Sequence, residues 1–103
     1  MTAIVRRERL PDVERRLVAI GVGGITVTAV KGFGEYANYF RGDYLVPHVR
    51  IEIFTTAERV SDLTGAILDE AGTGLAGDGL IAVLPVENVI RVRTKQSAEG
   101  GTL

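Results

Sequence analysis

The chain has 103 residues, of which 46% are hydrophobic and 24% charged, and this predicts one globular domain with a modest core. The formal net charge of −1 gives no overall attraction to nucleic acid or to an anionic membrane, and the lack of cysteine excludes disulfides and thiolate metal sites. One histidine excludes a multi-histidine metal site within a single chain, and since no signal core or membrane-length apolar run is present, we expect a cytoplasmic protein.

The first part of the chain predicts a strand, a helix and a second strand. Thr2 to Arg7 has an apolar centre and is predicted as a strand. A helix is predicted from Pro11, because apolar residues recur at i, i+4 and i+7 until Gly21. Ile25 to Lys31 is β-branched and alternating, which is typical of a strand.

A long protruding loop is predicted for residues 33–46, where glycines interrupt the sequence and neither the strand nor the helix period persists. Exposed aromatic side chains in such a loop favour docking to a partner protein, and folding back on their own domain is an equal alternative. The predicted partner-contacting residues are Tyr36, Tyr39, Phe40, Arg41 and Tyr44.

The second half of the chain predicts a strand, a helix and two more strands, with no internal repeat. Their predicted ranges are Pro47 to Thr55, Ala57 to Ala71, Leu80 to Leu84 and Val89 to Arg93, followed by a flexible tail over residues 95–103.

The element order as far as Leu84 predicts an α+β fold, the ferredoxin-like βαββαβ sandwich, in which both helices cover one face of an antiparallel sheet. The other sheet face is predicted to be fairly apolar and to be buried by oligomerisation. The main domain is placed at residues 1–94.

A glycine-rich loop, residues 72–79, is the first candidate for function. Four glycines in eight residues allow backbone N–H groups to turn inward toward an anion. On the predicted last strand, Arg91 and Arg93 point to one face. A nest of N–H groups opposite two guanidinium groups suits a polyphosphate, and the ordinary alternative is a tight loop beside two solvated arginines.

Two nucleotide motifs are excluded by their context. Gly72-x-Gly74-x-x-Gly77 matches the dinucleotide-binding fingerprint, but that motif needs a strand before it and a helix after it, and here the order is reversed. The P-loop is excluded because Asp78 follows Gly77 where a lysine is required.

The sequence also gives little support for an RNA-binding function. Residues 31–34 match the start of the RNP1 motif, but Glu35 stands where an aromatic stacking residue is needed. An enzyme is not expected either, because no nucleophile–base pair is apparent.

Over nearly its whole length the chain resembles the PII signal-transduction proteins. The resemblance lies in residues 24–28 (GITVT), 31–34 (KGFG), 49–53 (VRIEI), 77–79 (GDG) and 84–94 (LPVENVIRVRT). It implies a homotrimer of ferredoxin-like subunits that binds adenine nucleotides in clefts between subunits. It further implies a sensor, not an enzyme, whose long loop contacts a target protein.

The resemblance also implies a nucleotide site without a metal or a required cofactor. Its residues in this sequence are Ile4, Thr26, Gly32, Gly34, Glu52, Phe54, Gly77, Asp78, Gly79, Arg91 and Arg93.

Three lysines typical of the family are replaced, which predicts a preference for ADP or AMP over ATP. Leu75 and Leu80 stand at two of these positions beside the glycine-rich loop. His48 stands at the third, as an anion or phosphate contact or as an inert exposed side chain. Fewer fixed cations suit a ligand with fewer outer phosphate charges.

The pair Glu35-Tyr36 replaces Arg-Gln, and since that glutamine helps to hold Mg²⁺ with 2-oxoglutarate, sensing of 2-oxoglutarate is not expected. The loop over residues 33–46 is also several residues shorter than is usual in the family. Together these departures resemble the divergent PII-like proteins of inorganic-carbon uptake and carboxysomes, which sense adenylates with bicarbonate. The expected partner is a membrane transporter or a carbon-metabolism protein. The protein itself is expected neither to bind nucleic acid nor to insert into a membrane. The alternative is a nitrogen-regulatory PII protein that senses ATP, ADP and 2-oxoglutarate and controls an ammonium transporter or glutamine synthetase.

Overall fold

A computed structural model of the protein describes residues 1–32 and 46–98, with side chains described for 1–31 and 47–98. Residues 33–45, which hold most of the predicted protruding loop, and residues 99–103 of the predicted tail lie outside this range. The predicted site and partner residues that therefore lie outside the described residues are Gly34, Tyr36, Tyr39, Phe40, Arg41 and Tyr44.

The described elements follow the predicted order. They are β1 (Thr2–Arg6), α1 (Leu10–Ala19), β2 (Thr26–Gly32), β3 (Val46–Glu52), α2 (Val60–Ala71) and β4 (Gly79–Ala82), with 3-10 turns at Arg7–Arg9 and Ala57–Arg59. The four strands form one antiparallel sheet in the order β2-β3-β1-β4. This confirms the ferredoxin-like fold. Neither helix in the described part is long and apolar enough to cross a membrane.

The core lies between the two helices and one face of the sheet. Because side chains alternate along a strand, Val5 and Val49 share this face, and each is no more than 3% exposed. Leu17 of α1 and Leu63 of α2 pack against them and are equally buried. Burying a leucine-sized side chain contributes about 1.5–3 kcal/mol, so this layer fixes the sheet against the helices.

The opposite sheet face is more polar than expected. Its central strands carry Arg6, Arg50 and Glu52, and threonines of β2 lie beside them. Ile4, Val30 and Leu80 lie on the same face, so this side of the sheet is mixed and less apolar than predicted.

The predicted last strand, Val89 to Arg93, is wrong in extent. Only Ile90–Arg91 is a strand (β5), and it pairs with Gln96–Ser97 (β6) in a separate hairpin. The chain turns between them, where the Lys95 N–H donates to the Arg91 carbonyl over 2.8 Å. Arg93 consequently lies in a turn and not on the strand face of Arg91, and the predicted tail begins with an ordered strand.

A short internal repeat precedes the two helices, so the prediction that the chain has no internal repeat is wrong. Residues 8–13 (ERLPDV) and 58–63 (ERVSDL) are related by an offset of 50 positions, and each begins the entry into a helix. Arg9 donates from Nε to the Glu70 carbonyl in the last turn of α2 over 2.8 Å. Arg59 donates to the carbonyls of Ile20 and Gly21 at the end of α1. Each helix end is thus capped by the arginine that precedes the other helix, which satisfies otherwise unpaired carbonyls.

Replacing either capping arginine with methionine is expected to lower the free energy of unfolding by about 1–2 kcal/mol, since it removes charged hydrogen bonds to a helix end. The Arg9→Met and Arg59→Met effects should add in the double variant, because the two caps lie at different helix ends. Urea unfolding measures this. Arg15→Gln is the control, since Arg15 is exposed and, among the described residues, pairs only with Asp12 on its own helix, so a loss below about 0.5 kcal/mol is expected.

Candidate functional site

The glycine-rich loop is organised around the carboxylate of Asp78. Oδ2 of Asp78 accepts the backbone N–H groups of Thr73, at 2.7 Å, and of Gly74, at 2.8 Å. Oδ1 accepts the Thr73 hydroxyl and Nε of Arg6, the latter at 3.3 Å. Two of the N–H groups predicted to face a bound anion, those of Thr73 and Gly74, therefore already donate to the loop's own carboxylate. They are not available to a bound anion at this end of the loop.

These hydrogen bonds set the charge state of the loop. Partial burial raises the pKa of the Asp78 carboxyl, but the hydrogen bonds from Thr73, Gly74 and Arg6 together outweigh it and lower the pKa to about 2. Asp78 is therefore ionised at neutral pH, and its negative charge lies inside the loop. A phosphate placed at these N–H groups would meet this charge, so phosphate contacts have to come from other parts of the loop and from cations.

Two residues of the polar sheet face anchor the loop from below. Nη2 of Arg6 donates to the Ala76 carbonyl over 2.8 Å. The His48 ring is 1% exposed, and its Nε2 lies 2.9 Å from the Gly77 carbonyl. Because a carbonyl can only accept, Nε2 carries the proton. The structure therefore places His48 as a buried anchor of the loop, and the alternative of an inert exposed side chain is wrong.

The loop returns to the sheet at Gly79, where only glycine fits. Its φ angle is +119°, and a Cβ built there would lie 1.7 Å from the carbonyl oxygen of Ile4. This close approach brings Gly77, Asp78 and Gly79 beside Ile4, so four predicted site residues form one half-site at the β4 edge of the sheet.

Four other predicted site residues form a groove of about 300 Å³ at the β2 edge. Thr26 and Glu52 are paired across β2 and β3, and both line this groove. Phe54, which follows β3 and is 48% exposed, forms part of its wall, and Arg91 enters from the β5–β6 hairpin. Backbone of Gly23 and Gly24 completes the groove. An aromatic face beside a carboxylate, a hydroxyl and a guanidinium is a set that can hold a base, a sugar and a phosphate.

The two half-sites lie at opposite edges of the sheet. Three strand spacings separate β2 from β4, which corresponds to roughly 14 Å. Gly32 ends β2 opposite Val46, and Arg93 lies in the hairpin turn outside the groove lining. One protomer therefore does not bring those predicted site residues that the structure describes into a single pocket.

Sequence patterns missed the residues that build the loop. Arg6 was read as part of a strand, yet its guanidinium contacts both Asp78 and Ala76. Thr73, directly after a helix-ending glycine, gave a local signal for an ST-turn, in which its hydroxyl accepts the Leu75 N–H over 3.3 Å. Arg6 gave no such signal, because its two contacts span 70 and 72 positions of the chain.

Comparison with known proteins gives a consistent result. The family model described as "Nitrogen regulatory protein P-II" matches residues 1–96. The Nitrogen regulatory protein P-II of Pasteurella multocida is 42% identical over 104 residues, covering 94% of this chain and 93% of that protein. The nitrogen regulatory protein GlnK of Escherichia coli is 37% identical, covering 96% and 95%. A crystal structure of Arabidopsis thaliana PII bound to citrate superposes with a TM-score of 0.82 and 41% identity, covering 95% of this chain and 82% of that one. The chain belongs to the PII family of regulatory signalling proteins.

Proposed function

We propose that this protein is a cytoplasmic adenylate sensor in which each nucleotide site is shared by two copies of the chain. The observation that carries this proposal is the division of the site residues between two edges of the sheet. The groove with Thr26, Glu52, Phe54 and Arg91 offers contacts for a base and a sugar. The loop ending at Gly79 lies at the other edge, so a neighbouring copy has to supply it.

The surface of the protomer supports association. An apolar stretch after β4 is exposed, with Val83 and Leu84 at 56% and Ile90 at 60%. It borders a second groove of about 590 Å³ that shares Phe54 with the nucleotide groove. Exposed apolar surface of this kind marks interfaces, and it is continuous with half of the proposed site. A homotrimer, which is consistent with the PII family, would cover it.

The charges near the loop support a preference for ADP or AMP over ATP. Leu75 and Leu80 are 69% and 43% exposed and bring no charge to the loop. Arg6, the cation that contacts the loop, is engaged by Asp78 and Ala76. Within the described residues the loop therefore has little to offer a third phosphate, while Arg91 of the other half-site can bind one near the sugar.

We propose that the adenylate signal controls inorganic-carbon uptake or fixation and that bicarbonate binds with the nucleotide. The lost cations and the replacement of Arg-Gln by Glu35-Tyr36 support this assignment. The second candidate is nitrogen regulation through ATP, ADP and 2-oxoglutarate, and the names of the relatives favour it. No catalytic role is proposed for any residue.

Calorimetric titration separates these candidates. AMP, ADP and ATP are titrated with and without bicarbonate, and then with Mg²⁺ and 2-oxoglutarate. We expect ADP or AMP to bind more tightly than ATP and bicarbonate to strengthen that binding. Binding of 2-oxoglutarate only together with Mg-ATP would support the nitrogen-regulatory candidate. A lack of adenylate binding would contradict both.

A complementation experiment tests whether the site is shared. Arg91→Gln disables the groove half, and Leu80→Glu places a repelling carboxylate beside the loop half. Each variant alone is expected to bind ADP at least tenfold more weakly. When the two are co-expressed, about a quarter of the interfaces should pair an intact groove with an intact loop and recover wild-type affinity. A site contained in one protomer would show no recovery.

A further inference from the structure

Glu52 forms an ion pair with Arg50, its neighbour on the same face of β3. Residues two positions apart on a strand point to one side of the sheet, and Nε of Arg50 lies 3.3 Å from Oε1 of Glu52. The two side chains are 42% and 37% exposed, and a pair this open to solvent contributes little to the stability of a fold. We therefore looked for a consequence of this pair at the groove that Glu52 lines.

The sheet confines the side chain of Arg50. β3 is an inner strand, and the residues paired with Arg50 are Ile4 on β1 and Thr28 on β2, neither of which carries a charge. The Nε atom of Arg50 is buried and makes no hydrogen bond with a described residue. A buried N–H group without an acceptor is costly, so Oε1 of Glu52 is the oxygen that this atom keeps beside it.

The second oxygen of Glu52 is left for a ligand. Oε2 has no hydrogen-bond or ion-pair partner in the part of the chain that the structure describes. Glu52 lines the groove beside Thr26 and Phe54, whereas Arg50 does not line it. Arg6, the other arginine on this sheet face, is engaged by the glycine-rich loop. Arg50 can therefore act on the groove through Glu52 and not by touching the ligand.

We propose that Arg50 is a positioning residue, which holds Glu52 so that its second oxygen accepts the hydroxyl groups of the ribose. The inference rests on the proposed adenylate function. A carboxylate oxygen accepts and a hydroxyl donates, and such charge-assisted hydrogen bonds are stronger than neutral ones. Holding the glutamate before the nucleotide arrives removes the cost of ordering its side chain on binding. The preference for a sugar with hydroxyl groups therefore depends on Arg50.

The test uses Arg50→Met, which removes the charge and keeps a long, unbranched side chain. Calorimetric titrations compare ADP with dideoxy-ADP, whose sugar lacks both hydroxyl groups. The wild-type chain should bind ADP at least about tenfold more tightly than the analogue. In Arg50→Met the affinity for ADP should fall about three- to tenfold, and that for dideoxy-ADP should change by less than about twofold.

Two further variants serve as controls for charge and for position. Arg50→Lys keeps a cation beside Glu52 and should retain most of the preference for ADP, because a single atom pair joins the two side chains. Arg15→Gln, which removes a charge from α1, should leave both affinities unchanged. If Arg50→Met does not fold, Arg50→Gln carries the same comparison.

A double-variant cycle shows whether Arg50 acts through Glu52. Glu52→Gln removes the group that Arg50 holds, so it should abolish most of the preference for ADP over dideoxy-ADP. Adding Arg50→Met to Glu52→Gln should then weaken ADP binding by no more than about twofold, since residues that act as a unit have non-additive effects.

The outcomes distinguish this inference from the proposed function. Equal losses for ADP and dideoxy-ADP in Arg50→Met would mean that the arginine supports the sheet as a whole, and its positioning role would be overturned. An unchanged affinity for ADP, or the full product of both losses in the double variant, would overturn it as well. Each of these results leaves the adenylate function standing, because binding of ADP to the wild-type chain decides that function. If the wild-type chain binds no adenylate, both are wrong.

Discussion

Replacing Gly79 with alanine is expected to lower the free energy of unfolding by at least about 3 kcal/mol, the largest effect we expect from any single methyl group in this chain. The added Cβ would lie 1.7 Å from the Ile4 carbonyl oxygen and 2.8 Å from its carbon. Both atoms belong to the backbone of β1, so no side-chain rotation relieves the overlap. The pairing of Gly79 with Val5 would have to open, and β1 is an inner strand of the sheet. Urea unfolding followed by circular dichroism measures the loss.

Gly74→Ala is the matched control for this prediction. Gly74 has a φ angle of +83°, also in the region that favours glycine, but nothing lies within 4 Å of a Cβ built there. Only the conformational cost should appear, at about 1 kcal/mol. Equal losses in the two variants would contradict the assignment of the Gly79 effect to the close approach of β1 and β4.

The four strands of the sheet and both helices could be predicted because short-range patterns determine them. Val13 and Leu17 lie four positions apart on one helix face, and Val49 and Ile51 lie two positions apart on one strand face. The prediction of a last strand over residues 89–93 was wrong because it relied on the same short-range pattern. Residues 89–93 have a β-type composition, but a strand also needs a partner, and its partner in the structure is the polar pair Gln96–Ser97.

The sequence predicted which residues belong to the candidate site, but it did not predict their positions in space or their contacts with one another. Glycine spacing indicated a loop whose N–H groups turn inward, but it could not show that Asp78 from the same loop would occupy them. His48 was interpreted from its residue type and from its standing at the position of a family lysine, and neither shows its burial, which follows from the loop folding over β3. The division of the site between two sheet edges follows from strand order, which depends on contacts far apart in the sequence.

Replacing Asp78 with asparagine is expected to have the second large effect on the free energy of unfolding, and the size of this effect should depend on pH. The carboxylate accepts hydrogen bonds from Thr73, Gly74 and Arg6, and an amide presents an N–H₂ group to donors that need an acceptor. At neutral pH we expect a loss of about 1–2 kcal/mol in the free energy of unfolding, discounted because the Asp78 side chain is 23% exposed. Adenylate affinity should fall as well, since the loop half of the proposed site loses its fixed shape. Glu14→Gln, which removes an exposed carboxylate from α1 without an ion pair in the described part, should change neither quantity.

The pH dependence follows from the lowered pKa of Asp78. In the folded protein that pKa is about 2, and in the unfolded chain it is near the ordinary value of 3.8. Because the folded state binds this proton less tightly, the stability from Asp78 is fully present above the unfolded pKa and is lost as the pH falls through the folded pKa. The difference in unfolding free energy between wild type and Asp78→Asn should therefore be constant from about pH 7 to 5 and shrink from about pH 5 to 2. Other titrating groups cancel in this difference. A difference that stays constant down to about pH 3 would mean that the Asp78 carboxylate does not hold the loop through its charge.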